Sequence, residues 1–500
     1  MQQLLSKTFT YQTRLHLEQE PETIVDACAA LMCKVERTLF ADIASGKNVH
    51  ALKSSYLKRF EITARQFNAC RVQLEGKIAS IKERRKEQII ESKSRIADLK
   101  RKIKSLEKRK ANPFVIHQKK RRLSQQQSKL NKQIADHKQG KIRLCFGSKK
   151  LFREQFHDCD SHEEWQTAWQ QARNSSFFLL GSKDETAGNQ SCAAILQEDG
   201  TVMLRLRLPN ALVPKYGKYL TIPNVRFKYG HDMIIAALQR QQAISYRFKK
   251  DTKGWRLFAS IVHTEPQWIT RKELGAIGVD INADHLAVTE TDRFGNPIAH
   301  TSIPLVCYGK TKHQAKALIG DAATKLVTMA VKSQKPLVLE KLNFKKKKTT
   351  LKESCSSKQS RMLSSFFYNA IITHIKSRAF RFGVHVGEVN PAFTSVIGRV
   401  KFAERYGLSI HESAALCIAR RYLGVSERLP RLVDTIPDGK GGHVAFSLPV
   451  RNRDQHVWSL WRQIQKKLKA APAAHILAKR SSSRSPPACR DRRKPPRCYW

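Results

Sequence analysis

Between residues 274 and 425 the hydrophobic pattern leaves room for few folds. The run Ala276-Ile277-Gly278-Val279-Asp280 is apolar up to its terminal acid. Ile281-Asn282 then leads into a second alternating run, Leu286-Ala287-Val288-Thr289. That spacing predicts a strand, a tight turn and an antiparallel partner, with Asp280 held on a rigid edge. The same signals predict strands over 275–281, 285–290 and 298–305, with a turn at 292–296. A helix over 312–333 follows, then a strand over 336–341 in which Pro336-Leu337-Val338-Leu339-Glu340 delivers a second acid. A helix over 360–382, a strand over 384–389 and a helix over 409–423 complete the region.

Three antiparallel strands followed by helix–strand alternation is the order of an RNase H-like fold. The N-terminal half reads differently. A short β-like stretch, Ser6 to Leu17, precedes a helical composition from about 22 to 75, with Ile24, Ala27, Ala30, Leu31 and Val35 at 3–4 spacing. Over 76–138, Ile89, Ile96, Leu99, Ile103 and Leu106 hold heptad positions among Lys and Arg. Asn112-Pro113 breaks the run, and Ile116, Leu123, Leu130 and Ile134 resume it. This predicts an antiparallel helical hairpin with a narrow apolar seam, the competing reading being a dimerising coiled coil. From 140 to 265 the period becomes two. Met203-Leu204-Arg205-Leu206-Arg207-Leu208 alternates, and Ala243–Phe248 meets Trp255–His263 across Asp251-Thr252-Lys253-Gly254, giving an antiparallel sheet or small barrel with basic residues on its open face. The helices therefore read as an insertion into a β domain begun at residues 6–17. Phe227-Lys228-Tyr229 and Tyr246-Arg247-Phe248 place aromatics among cations, where their alternation favours core over base stacking.

Composition narrows the partner. Five hundred residues imply two to four domains. Lys plus Arg number 92 against 42 Asp plus Glu, a formal charge of +50, which repels itself unless a polyanion neutralises it. DNA or RNA is the natural partner. No run of about 18 apolar residues exists and no lipid-anchoring signal accompanies the charge, so no membrane is expected. The N-terminus lacks a signal-peptide core, and the expected location is the cytoplasm, at the nucleoid when DNA is bound. Eleven scattered cysteines fit reduced thiols, and the absence of any Cys-x-x-Cys argues against a zinc ribbon, so no zinc is expected. The candidate phosphate-tracking residues are Lys100, Arg101 and Lys104, then Lys119, Lys120, Arg121 and Arg122. Lys345, Lys346, Lys347 and Lys348 add a loop near the active edge. The segment beyond 470, with Arg480-Ser481-Ser482-Ser483-Arg484 and two Pro-Pro pairs, reads as a basic, partly disordered tail.

Two strand-end carboxylates on a polycation suggest metal-assisted cutting of nucleic acid. Hydrolysis of a phosphodiester by two Mg2+ ions needs hard oxygen ligands, with Mn2+ able to substitute. Asp280 and Glu340 are the candidate catalytic and metal-binding acids. A third group should come from the helix at 409–423, whose first turn, Ser409-Ile410-His411-Glu412, offers His411 and Glu412. His411-Glu412 is not a zinc-protease helix, because the position four after His411 is Ala415.

Gly278-Val279-Asp280-Ile281-Asn282, Leu337-Val338-Leu339-Glu340-Lys341-Leu342, Asn390-Pro391-Ala392-Phe393-Thr394-Ser395, and Ala414-Ala415 with Ile418-Ala419-Arg420-Arg421 together resemble the RuvC-like nuclease of TnpB proteins. These are transposon-encoded RNA-guided DNA endonucleases related to type V CRISPR effectors. The resemblance is specific over about 275–425 and rests on layout elsewhere. It implies a multidomain α+β chain with an RNase H-like (RuvC) domain over 271–430. A β-barrel wedge domain would be formed by 1–20 and 140–270, with a helical recognition lobe inserted over 21–139 and a basic tail over 431–500. It also implies a guide RNA, a double-stranded DNA target with a short flanking motif, and Mg2+-dependent cleavage of both strands by one site. A monomeric protein within a ribonucleoprotein is compatible with this layout.

The chain departs from that family in two places. No ribbon interrupts Val396-Ile397-Gly398-Arg399-Val400-Lys401-Phe402. Where the family carries its third acid, an Asp four positions before the second paired alanine, this chain has His411. Three readings stay open at this point: His411 as ligand or base, Glu412 as substitute, or a crippled site in a protein that only binds. An unguided nuclease or transposase is the remaining alternative.

Overall fold

The computed structural model describes residues 7–155, 161–182, 186–263, 266–341, 365–425, 427, 435–437, 443–445, 448–451 and 454–470. The Lys345–Lys348 run and the tail beyond 470 lie outside these. The chain divides into two units, Met1–Glu265 and Pro266–Trp500.

In the first unit, strand β1 (Lys7–Arg14) opens the chain and helices α1 (Gln19–Ala44), α2 (Lys53–Phe60), α3 (Ala64–Lys108) and α4 (Pro113–Lys138) follow. The buried apolar residues of α1 are Ile24, Val25, Cys28, Ala29, Met32, Cys33, Val35 and Leu39. The expected stripe through Ala27, Ala30 and Leu31 is only half buried, because two cysteines and a methionine serve as the apolar residues that fill this face. Thr63 caps α3 with a reciprocal Gln66 capping box, and Asn112 caps α4 with Pro113 at its first position. α3 and α4 run antiparallel: Ser92 Oγ lies 2.9 Å from Gln133, Arg85 donates to the Asp136 carbonyl at 2.8 Å, and Lys120 meets Glu107 at 2.8 Å. The seam is thin, with Ile96 and Ile103 buried on α3 and nothing fully buried on α4.

After α5 (Lys149–Glu154) and α6 (His162–Arg173) the chain becomes β-rich: β2 (Ser176–Leu179), β3 (Cys192–Leu196), β4 (Val202–Arg207), α7 (Val213–Tyr216), β5 (Tyr219–Val225), α8 (His231–Gln239), β6 (Ser245–Asp251) and β7 (Gly254–His263). The strands form two open sheets, β1-β7-β6-β2 and β3-β4-β5, rather than one hydrogen-bonded barrel. Side chains replace ladders at the corners. Buried Asn189 donates to the Ile244 carbonyl at 2.9 Å, and Thr13 donates to the Arg226 carbonyl at 2.6 Å. Phe227, Tyr246 and Phe248 are core, whereas Tyr229 is 74% exposed. On the open face of β4 and β5, Arg205 and Arg207 lie 5.0 and 5.9 Å from the ring of Tyr219.

Arg14 fastens β1 to the β6–β7 hairpin through a two-pronged contact with Asp251, at 3.0 and 3.1 Å. The Arg14 hydrogen bond, helped by the Lys253 amide, lowers the Asp251 carboxyl to about 2. Its contribution is complete above the ordinary carboxylate range and disappears as pH falls through about 2. The thermal stability of the wild type is therefore expected to fall between pH about 4 and about 2 more than that of Asp251→Asn, and parallel melting curves across that range check it.

The second unit carries β8 (Ile277–Ile281), β9 (His285–Thr291), β10 (Pro297–Pro304), α9 (Lys312–Ser333), β11 (Leu337–Glu340), α10 (Ser365–Arg381), β12 (Val386–Val389), α11 (Thr394–Lys401), α12 (Ala403–Tyr406), α13 (Ile410–Leu423), β13 (Thr435–Pro437), β14 (His443–Ala445) and α14 (Val457–Ala470). Its main sheet has the order β10-β9-β8-β11-β12. β8, β9 and β10 are antiparallel; β11 runs parallel to both β8 and β12. This is the element order the sequence predicts. Alternation sorts the two faces of the central strands. Ile277, Val279, Leu337 and Leu339 pack with α9 and α10, whereas Val338 packs with Ile418 and Ala419 of α13. Covered on both sides, β8 and β11 read as unbroken apolar runs. Beyond the sheet, Ile397, Leu416, Trp461 and Ile464 join α11, α13 and α14 in a second apolar cluster.

Candidate active site

Helix α13 approaches β8 closely because Gly278 has no side chain. A Cβ there would stand 1.9 Å from the Ala415 carbonyl oxygen and 2.9 Å from the Ala419 amide nitrogen. Gly278 and Asp280 share one face of β8, two residues apart, and His411 and Ala415 share one face of α13, four apart. Docking Ala415 over Gly278 therefore brings His411 over Asp280. Ser409 caps α13, and buried Thr289 of β9 donates to the Glu412 carbonyl at 2.8 Å, fixing the helix start.

Asp280 is buried, and its Oδ2 accepts from His411 Nδ1 and Asn282 Nδ2, each at 3.1 Å. The bond to Asp280 raises the His411 imidazole above its ordinary pKa, against the opposing effect of burial. β11 pairs with β8 in parallel register up to Leu339↔Val279, so Glu340 occupies the next rung, level with Asp280 and on the same sheet face. Buried Thr394, from the Asn-Pro-x-x-Thr-Ser segment, donates its hydroxyl to Glu340 Oε1 at 2.5 Å. Tyr368 of α10 senses both acids: burial raises its phenol pKa, and the charges of Asp280, Glu340 and Asp284 raise it further. At the strand ends, then, two carboxylates are held by hydroxyl, amide and imidazole donors.

Glu412 is engaged elsewhere. Its Oε2 accepts the Ser409 amide at 3.0 Å in the capping box, and its Oε1 faces His300 Nδ1 at 2.9 Å. Of the two candidates in that first turn, His411 is the one hydrogen-bonded to Asp280. The structure also brings in residues to which sequence reasoning gave no role: Asn282, Asp284, His285, Tyr368 and Thr394. Asn282 and Thr394 belonged to recognisable segments. Asp284 and His285 are adjacent in the β8–β9 turn, while Tyr368 arrives from a helix with no local signal.

Among the described residues, no three His, Cys, Asp or Glu side chains converge as a ready-made metal cage. Mg2+ does not need one, since it keeps several waters and binds through one or two carboxylates plus substrate phosphate. The paired, hard-oxygen chemistry of Asp280 and Glu340 fits that requirement. Of the candidate phosphate-binding residues, those among the described residues belong to the first unit. Lys100, Arg101 and Lys104 lie on α3 and Lys119, Lys120, Arg121 and Arg122 on α4, where Arg101 pairs with Asp98 and Lys120 with Glu107.

No family model matches the chain, and no curated protein sequence matches it. Similar solved structures include T. thermophilus RuvC in complex with a Holliday junction substrate, at 14% identity and a TM-score of 0.23, over 31% of this chain and 99% of that one. The Cas12f1–sgRNA–target DNA complex matches at 11% identity and a TM-score of 0.23, over 84% and 100%. The Cas12i–crRNA–dsDNA complex in its I1 state matches at 12% identity and a TM-score of 0.25, over 62% and 57%.

Proposed function

We propose that this chain is an RNA-guided DNA endonuclease of the TnpB-like, RuvC-bearing kind. It would hydrolyse phosphodiester bonds with Mg2+ at Asp280 and Glu340. The observation that carries this reading is the placement of those two acids level with each other on the neighbouring parallel strands β8 and β11, with His411 closing on Asp280 from α13. When bound, divalent ions activate water and neutralise charge on the scissile phosphate and leaving oxygen. Asp280 and Glu340 hold them. Asn282 and Thr394 fix the orientation of these carboxylates through their hydrogen bonds. His411 is the third group, presenting its second ring nitrogen from the start of α13 while Nδ1 stays on Asp280.

The excess of 50 positive charges supports an RNA scaffold and RNA–DNA duplex as partners, since guided recognition uses backbone contacts while base pairing supplies sequence choice. Lys100, Arg101, Lys104 and Lys119–Arg122 are assigned to such contacts, as is Lys345–Lys348, whose structure is not described. The short flanking DNA motif, the monomeric state and the cytoplasmic, nucleoid-associated location belong to the same proposal.

Histidine in place of the family's third acid favours a second reading, a nuclease-deficient RNA-guided binder. Two substitutions separate the roles within α13. His411→Ala is expected to lower plasmid cleavage by about 100-fold. Glu412→Gln should cut within a few-fold of wild type and keep its cap, since glutamine fills the same place in the capping boxes of α3 and α9, losing only the charge that faces His300. The assay uses the complex purified with its own RNA, on plasmids carrying the matching target beside a randomised flank. Cleavage in Mg2+ or Mn2+ supports the endonuclease; target binding without any cutting supports the binder.

A further inference from the structure

The turn between β8 and β9 carries an unassigned chain of polar groups that ends on Asp280. His285 Nδ1 lies 2.7 Å from Asp284 Oδ1, His285 Nε2 lies 3.3 Å from Asn282 Nδ2, and the same Nδ2 lies 3.1 Å from Asp280 Oδ2. The backbone fixes the turn that holds them. Asn282 N donates to the His285 carbonyl at 3.0 Å, and Leu305 N donates to the Asp284 carbonyl at 2.6 Å.

Donor and acceptor rules decide the protons. The Asn282 amide must present nitrogen to Asp280, since its oxygen would oppose a carboxylate. Nε2 of His285 must then accept, which puts the ring proton on Nδ1, where Asp284 receives it. Both hydrogens of the Asn282 amide are thereby used, one on His285 and one on Asp280, whose backbone carbonyl also lies 3.4 Å from Nδ2. Oδ2 of Asp280 takes the donors from Asn282 and His411, while Oδ1 receives no hydrogen bond from any described residue. The ring of His285 also stands edge-on to His411, with centroids 5.1 Å apart.

We propose that Asp284, His285 and Asn282 form a positioning relay that locks Asp280 with Oδ2 turned to the protein and Oδ1 presented for the divalent cation. This rests on the nuclease reading above. The residues do not touch substrate; they select which carboxylate oxygen is offered. Partners one step removed from metal ligands alter affinity by about 10- to 100-fold when removed. His285→Phe keeps the ring but deletes the acceptor. His285→Gln restores a carbonyl near the Nε2 position and an amide toward Asp284.

The test uses the full ribonucleoprotein with two readouts. One is the Mg2+ concentration giving half-maximal cleavage, with kcat at saturation and KM for DNA. The other is cutting of the polypeptide itself beside residues 280 and 340 by hydroxyl radicals generated from Fe2+, ascorbate and peroxide. His285→Phe and Asn282→Ala are each expected to raise half-saturation about 10-fold for both readouts, with KM for DNA unchanged. The double variant should be no worse than either single by more than about 2-fold, and His285→Gln should recover most of the loss. A His285→Phe protein that matches wild type in both readouts overturns the relay, as do independent, multiplying effects of the two substitutions. Where His285→Phe does not fold, Asn282→Ala and His285→Gln decide by the same criteria. Asp280→Ala separates the two levels. If it leaves radical cutting and DNA cleavage intact, the nuclease site itself fails and the relay with it. If it removes both while His285→Phe is inert, only the relay fails.

Discussion

Replacing Asp280 with alanine is expected to reduce plasmid cleavage by at least about 1000-fold while RNA and DNA binding stay within a few-fold. Several kcal/mol of transition-state charge stabilisation depend on a metal-holding carboxylate, and each 1.36 kcal/mol is a factor of ten. Binding should survive because it draws on many phosphate contacts. The side chain removed is small and its neighbours are polar, so Asn282 and His411 can turn to water. Cleavage time courses and filter-binding titrations on the same preparation check both halves. Full activity in Asp280→Ala would end the proposed site. Glu340→Ala should behave alike, with Thr394 left to rotate.

Gly278→Ala is expected to be the most damaging single methyl in the second unit. The added carbon would sit 1.9 Å from the Ala415 carbonyl oxygen, a backbone atom that cannot rotate aside. Ordinary carbon–oxygen contact is about 3.3 Å, so α13 must retreat by about 1.4 Å or the strand must buckle. Overpacking of that kind costs about 3 kcal/mol, which in a unit of this size corresponds to a fall of about 6–12 °C in melting temperature. His411 rides on the displaced helix, and a misplacement of about 1 Å costs roughly 100-fold in rate, so cleavage should fall even where the protein stays folded. Calorimetry and cleavage at a temperature below both transitions separate the two effects.

The second unit was legible because its order of elements is written in period changes that tertiary context does not override. Helix 312–333 matches in both bounds, since Thr311 builds a capping box with Gln314 and Gln334 ends the helix in a left-handed turn. The pairing of Asp280 with Glu340 was readable because both close apolar strands. Their hydrogen-bond partners were not. Nothing in a one-dimensional pattern says that Thr394 reaches Glu340 or that His300 faces Glu412, although the Ser409-x-x-Glu412 spacing does signal that this acid serves its own helix cap. The same limit explains α1, where burial follows Cys28, Met32 and Leu39 rather than Ala27 and Ala30, and the β region. There the strands were found, but closure into a barrel depends on corners that Asn189 and Thr13 bridge by side chains.

The first strand of the chain pairs with one far along it, Arg14 beside Arg256 and Lys7 beside His263. On a ribosome adding about 5–20 residues each second, β1 emerges and then waits for roughly 250 more residues, about 12–50 s. The α3–α4 hairpin packs on itself and can form in the interval, whereas α1 waits, like β1, for partners such as Lys250 and Trp255, which donate to Asp26. A bare strand edge left waiting that long invites pairing with other nascent chains. Slowing translation between residues 15 and 250 should therefore lower soluble yield more than slowing it after residue 270.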